Sequence, residues 1–124
     1  MHRRLLIIED EGDIREVAQL SLELSAGWTV FTAPDGATGI GIAEAERPDA
    51  ILLDVMMPDM DGPTTFRRLQ QNPATAGIPV VLLTAKVQAS DRSRYDSLGV
   101  RGVLSKPFDP MTLAGEIAAL LGWS

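Results

Sequence analysis

Four short apolar runs punctuate the chain: Leu5 to Ile8, Ala50 to Leu53, Val80 to Leu83, and Val103 to Leu104. Each is continuous rather than alternating, as a strand needs when both faces of its sheet are covered by helices. Trp28 to Phe31 predicts a further, weaker strand. Helical stretches fall between the runs. Asp13 and Glu16 have the spacing of a capping box, and Ile14, Val17, Ala18, Ser21 and Leu22 follow on one helical face. Asp35-Gly36 opens a second helix, weakened by Gly39 and Gly41. Gly62-Pro63 opens a third, with Pro63 suited to the first helical position. Ser90 is the expected cap of a fourth, closed by Gly99. Asp109-Pro110 opens a fifth, which carries Leu113, Ile117, Leu120 and Leu121. Strand and helix alternate throughout, so the class is α/β with right-handed crossovers.

Ligands of such sheets bind beyond the carboxyl ends of the strands. Glu9 and Asp10 follow the first run, Asp54 follows the third strand, Thr84 ends the fourth, and Ser105 and Lys106 end the fifth. In a parallel sheet these residues converge on one edge. Crowded carboxylates raise one another's pKa unless a cation sits among them. Oxygen donors, with no cysteine and one remote histidine, His2, suit a hard ion, and Mg2+ fits best. Lys106 and the Thr84 hydroxyl then complete a phosphate site, one by charge and the other by a hydrogen bond.

Composition narrows the field. The 124 residues suit one domain, 1–124, and 45% apolar with 23% charged residues is ordinary for a soluble globular chain. The lack of cysteine excludes disulfides, thiolate metal sites and a Cys nucleophile, and fits a reducing, cytoplasmic setting. A net charge of -6 disfavours direct nucleic-acid binding and suits protein partners. Leu5 to Ile8 after Arg3-Arg4 is too short for a signal peptide and runs into Glu9-Asp10-Glu11. No segment approaches the ~20 apolar residues of a membrane span. Repeats and long linkers are missing, so an output domain is expected to be absent or to have been left out.

LLIIEDE, AILLDVMMPDMDG, IPVVLLTAK and GVLSKPFD stand in the order and spacing of the receiver domain of two-component response regulators. The chain resembles that family over nearly its whole length. The resemblance implies a flavodoxin-like, doubly wound, five-stranded parallel sheet of order 2-1-3-4-5 with five helices. It implies Asp54 as phosphoacceptor, Asp10 as a direct Mg2+ ligand, Glu9 as one largely through water, and the Met56 carbonyl as another. Thr84 and Lys106 contact the phosphoryl oxygens, and Lys106-Pro107 is a cis bond. The donor implied is a phosphohistidine on a sensor histidine kinase or a histidine phosphotransfer protein. The output passes to an effector protein or to an output domain. Such a chain is a phosphorylated signalling module that promotes its own phosphotransfer and autodephosphorylation, and is not an enzyme acting on another substrate.

Blander and rival readings stand beside this one. Glu9-Asp10-Glu11 also suits a solvated turn into a helix, and Met56, Met57 and Met60 suit loop packing with only the Met56 backbone functional. Trp28 and Trp123 read as packing, Gly62 as a turn residue, and Arg67-Arg68 as a solvated helix face. Asp59-Met60-Asp61-Gly62 resembles the nucleophile motif of haloacid-dehalogenase-type phosphatases, though Pro58 and two methionines separate it from the strand. An FMN-binding flavodoxin lacks support, because no Ser/Thr-rich loop follows the first strand. A degenerate receiver that binds partners without phosphorylation is the third alternative. Two departures from the family bear on it: Val103 stands where many receivers carry Tyr or Phe, and Met56 and Lys86 occupy positions that tune dephosphorylation.

Overall fold

The computed structural model describes residues 2–85 and 89–123, with side chains described for all of these except 89–92. Five strands, β1 (Arg4–Ile8), β2 (Thr29–Ala33), β3 (Ala50–Asp54), β4 (Val80–Thr84) and β5 (Gly102–Ser105), alternate with five helices. The helices are α1 (Gly12–Ala26), α2 (Gly36–Glu46), α3 (Gly62–Gln71), α4 (Ala89–Asp96) and α5 (Leu113–Leu121). The strands form one sheet of order β2-β1-β3-β4-β5, parallel at every pairing. This is the flavodoxin-like arrangement expected above.

The apolar runs are continuous because the strand period sends neighbours to opposite faces. Leu5, Ile7, Leu52, Val81, Leu83 and Leu104 enter one core, closed by Ala18 and Leu22 of α1 and by Leu113, Ile117 and Leu121 of α5. Leu6, Ile8, Ile51, Leu53, Val80 and Leu82 enter the other, closed by Ala43 of α2, Phe66 and Leu69 of α3, and Tyr95 of α4. At the amino ends of the strands, Trp28 and Trp123 meet edge to face at 5.3 Å, and the Arg3 guanidinium lies 4.5 Å from the Trp123 ring centre. Packing is thus the role of both tryptophans.

Several local expectations change. Asp13 does not cap α1: the cap position is Glu11, and Asp13 lies in the first turn, where its charge suits the helix dipole. Val17 is 44% exposed, because only Ala18 and Leu22 of the expected face reach the core. β2 begins at Thr29, one residue after Trp28. Asp61, not Gly62, caps α3 by accepting the Thr64 N–H at 2.8 Å, so Pro63 is the second helical residue. Asp109 holds a turn through the N–H groups of Met111 and Thr112, and α5 starts only at Leu113. Asp35 caps α2 as expected, accepting from the Thr38 N–H at 2.7 Å. Gly99, after α4, has φ 99 and donates to the Asp96 carbonyl. The Ser90 side chain and Lys86 lie outside the described residues.

The two glycines of α2 differ in kind. A Cβ on Gly39 would press into the Ile8 side chain, within 2.6 Å of Cγ1, so this glycine sets how closely α2 rests on β1. Gly41 faces open space. Gly41→Ala is therefore expected to stabilise the protein by up to ~1 kcal/mol through helix propensity. Gly39→Ala is expected to destabilise it by ~1–3 kcal/mol through overpacking. Urea melts of the two variants should move in opposite directions; shifts of the same sign would contradict this packing.

Candidate functional site

Parallel pairing brings the carboxyl ends of β1, β3, β4 and β5 to one edge. The register sets Asp54 opposite Leu83 and Thr84 opposite Ser105. Ladder-like bonds continue past the strand ends. The Glu9 N–H donates to the Ala33 carbonyl at 3.1 Å, the Val55 N–H to Leu83 at 3.0 Å, and the Lys106 N–H to Thr84 at 2.9 Å. The backbone at Glu9, just after Asp54 and at Lys106 is thereby fixed before any side-chain contact is made. Glu9, Asp54 and Thr84 are buried at 0%, 2% and 1% exposure, unusual depths for two carboxylates. Asp54 is the last residue of β3 itself, not the first beyond it.

Lys106 joins the carboxylates. Its ammonium lies 2.6 Å from Glu9 Oε1 and 3.0 Å from Asp54 Oδ1. Burial alone lowers the Lys106 pKa, but Glu9 and then Asp54 outweigh it and hold it above the usual lysine value. Burial pushes Glu9 up to about 7; Lys106 and the Glu11 N–H oppose that rise, and the neighbouring Asp54 carboxylate adds to it. Burial also raises Asp54, and Lys106 pulls it back without cancelling the rise. The other Glu9 oxygen, Oε2, accepts the Glu11 N–H at 3.1 Å. Lys106-Pro107 is cis, as expected.

A cation fits among these groups. Glu9, Asp10 and Asp54 each offer a carboxylate oxygen, all within 4.8 Å of one another. Asp54 Oδ2 is buried and accepts no hydrogen bond among the described residues. Three carboxylates against the one ammonium of Lys106 leave two negative charges over, the charge of a single divalent ion. The donor set is oxygen alone, as a hard ion requires.

The loop after β3 folds back on the site. The Gly62 N–H donates to the Val55 carbonyl at 2.9 Å. A Cβ on Gly62 would lie 2.6 Å from the Asp54 carbonyl oxygen and 2.8 Å from Val55 Cα. The residue is glycine for close approach to the backbone of Asp54 and Val55, and its φ is not positive; the turn reading missed this. The left-handed residue of the loop is Asp59, φ 67, exposed in a tight turn in which the Met60 N–H donates to the Pro58 carbonyl at 2.7 Å. Asp59 is not among the clustered carboxylates. The loop methionines do not act alike: Met57 is buried in the second core, while Met56 is 65% exposed and packs little.

Two features of the edge carry no signal in the sequence. Arg15 reaches back from α1 to donate to the Glu9 carbonyl at 2.8 Å. Val17, Leu20, Leu24 and Met111 are exposed at 44%, 48%, 83% and 85%, along α1 and the approach to α5. A hollow of about 240 Å3 lined by Ile14, Val17, Lys106 and Phe108 joins that strip to the site. Val103 is half-buried against the second core.

A family model described as the response regulator receiver domain matches residues 5–118. The chain is 40% identical over 118 residues to the DNA-binding dual master transcriptional regulator RpaA of Synechocystis sp., covering 95% of this chain and 48% of that protein. It is 41% identical over 122 residues to the response regulator PleD of Caulobacter vibrioides, covering 97% of this chain and 26% of PleD. The chain thus spans half or less of these relatives. Among solved structures, the chemotaxis protein CheY4 of Vibrio cholerae superposes with a TM-score of 0.88 at 28% identity, covering 97% of this chain and 99% of that one.

The buried acids give stability a defined pH dependence. A carboxyl whose pKa is raised on folding, from 4.5 to about 7 at Glu9, holds its proton more tightly in the folded state. Its contribution is complete below the ordinary value and is lost as pH rises through about 7. Asp54 is raised too and acts with the same sign, whereas the raised Lys106 loses its contribution only above the ordinary lysine value of 10.5. In chelator, stability should fall between pH 5 and pH 8 by on the order of 1–3 kcal/mol, and Glu9→Gln should flatten the fall. A level profile in the parent, or an unchanged slope in the variant, would contradict this electrostatic account.

Proposed function

The chain belongs to the family of response regulator receiver domains, and we propose that its Asp54 accepts a phosphoryl group from a phosphohistidine. The observation that carries the proposal is Asp54 itself: a buried carboxylate at a strand end, with Lys106 on Oδ1 and, among the described residues, no hydrogen bond to Oδ2. Oδ2 attacks phosphorus, the phosphorus–nitrogen bond of the donor breaks, and the imidazole departs and takes up a proton. The negative charge that spreads over the transferring oxygens meets the Lys106 ammonium and the Thr84 hydroxyl. Asp10, Asp54 and the Met56 carbonyl, with Glu9 behind them through water, would hold Mg2+. When bound, that ion would supply neutralising charge for the phosphoryl oxygens. Water later cleaves the acyl phosphate at the same edge, returning phosphate and the Asp54 carboxylate.

Residues 1–124 act as one such domain in the cytoplasm, with no direct contact to nucleic acid or membrane. Among the described residues no helix is long and apolar enough to cross a bilayer. The donor is a sensor histidine kinase or a histidine phosphotransfer protein, and the strip of Val17, Leu20 and Met111 beside Lys106 offers it a contact surface. The greater length of RpaA and PleD supports an output carried by a further domain or a separate effector.

Two experiments test the site. Incubation with a small acyl-phosphate donor and Mg2+ should add one phosphoryl group by intact mass, labile to hydroxylamine, and Asp54→Asn should abolish it. A variant labelled as fast as the parent would remove Asp54 from the role, and label on Asp59 would restore the phosphatase reading. Thermal melts test the metal. Mg2+ at a hundredfold excess over its dissociation constant should stabilise the parent by ~2.7 kcal/mol. Asp10→Ala should lose most of that gain; equal gains would put the metal elsewhere.

A further inference from the structure

Arg15 makes a bond that attraction between charges does not explain. It stands in the first turn of α1, and its side chain runs back toward the amino end of the helix, the direction helical side chains take. Glu9, Asp10, Glu11, Asp13 and Glu16 are all close to it in sequence. Among the described residues it forms an ion pair with none of them. Its guanidinium donates instead to a main-chain oxygen, the Glu9 carbonyl, at 2.8 Å. The bond falls where the ladder between strands runs out. The Glu9 N–H still donates to the Ala33 carbonyl at 3.1 Å, but β2 ends at Ala33. Arg15 supplies the donor that a longer β2 would have given to the Glu9 carbonyl. That carbonyl belongs to the planar peptide joining Glu9 to Asp10, so fixing its oxygen fixes the plane from which both residues carry their carboxylates. Those two carboxylates, with that of Asp54, have oxygens within 4.8 Å of one another.

We propose that Arg15 is a positioning residue for the cation site: it acts through the Glu9 carbonyl to hold the Glu9 and Asp10 carboxylates beside Asp54. The inference rests on the reading above in which these acids hold Mg2+. Charge and position have opposite signs here. A guanidinium beside a cation site repels the cation, so an arginine acting by charge alone weakens Mg2+ binding. An arginine that acts by position strengthens binding in spite of that repulsion. The direction in which affinity moves when Arg15 is replaced therefore separates the two roles.

The test is a Mg2+ titration of the isotopically labelled full chain, read by the amide shifts of Asp10 and Val55, for the parent, Arg15→Met and Arg15→Lys. Arg15→Met keeps the stem of the side chain and loses both the charge and the donor. It should weaken Mg2+ binding about tenfold. Arg15→Lys keeps the charge and an N–H donor, and should recover part of that loss. The amides of Leu22 and Ile117, which lie in the core beneath α1 and α5, should keep their positions and report an intact fold. Unchanged or tighter binding in Arg15→Met would overturn the proposal, and a lowered urea midpoint in chelator with unchanged binding would leave Arg15 a structural role only. Binding by Arg15→Lys no tighter than by Arg15→Met would overturn it as well. A parent that shows no saturable Mg2+ shift at Asp10 would instead remove the metal reading itself, and this inference with it.

Discussion

The ammonium of Lys106 holds the acidic edge together. Two carboxylates buried as deeply as Glu9 and Asp54 repel each other and lose hydration, and each loss alone favours the neutral acid. Contacts of 2.6 and 3.0 Å to one lysine oppose both effects. The same contacts tie the end of β5 to the ends of β1 and β3, strands that are not its neighbours in the sheet. Lys106 is therefore a mechanical link across the edge as well as a charge. Negative charge added at Asp54 would develop beside this lysine.

That arrangement needs a rigid frame. Core packing on both faces of the sheet supplies it, and backbone bonds that run one residue beyond β1, β3 and β5 extend it into the site. Gly62 adds a restraint from the loop side, where close approach to the backbone of Asp54 and Val55 leaves no room for a side chain. The chemical groups stand on the frame, while the neighbouring loop leaves Met56 in solvent.

Much of this was legible in the sequence, for definite reasons. Continuous apolar runs mark doubly covered strands, and a parallel sheet admits one edge where their ends can meet; hence Glu9, Asp10, Asp54, Thr84 and Lys106 could be placed together without coordinates. Features that depend on distance across the fold were not legible. Nothing near Asp13 shows that α1 begins earlier, at Gly12, and helical spacing alone put Val17 in the core although α1 buries a narrower stripe. The sequence presents Gly39 and Gly41 alike, as helix weakeners; only the position of Ile8 separates them. Likewise Arg15 and Glu9 are six residues apart with a turn between, a spacing that no local rule reads.

The paired tryptophans have an optical consequence. Trp28 precedes β2, and Trp123 follows α5 and stacks beneath Arg3 at the start of β1, so both indoles lie at the amino ends of the strands. The acidic edge lies at the opposite ends, a five-residue strand away, roughly 17 Å. Tryptophan emission therefore comes from one edge-to-face pair that loss of the α5 contact would break. The native fluorescence of this chain therefore reports on packing at the amino ends of the strands, at the far end of the sheet from the acidic edge.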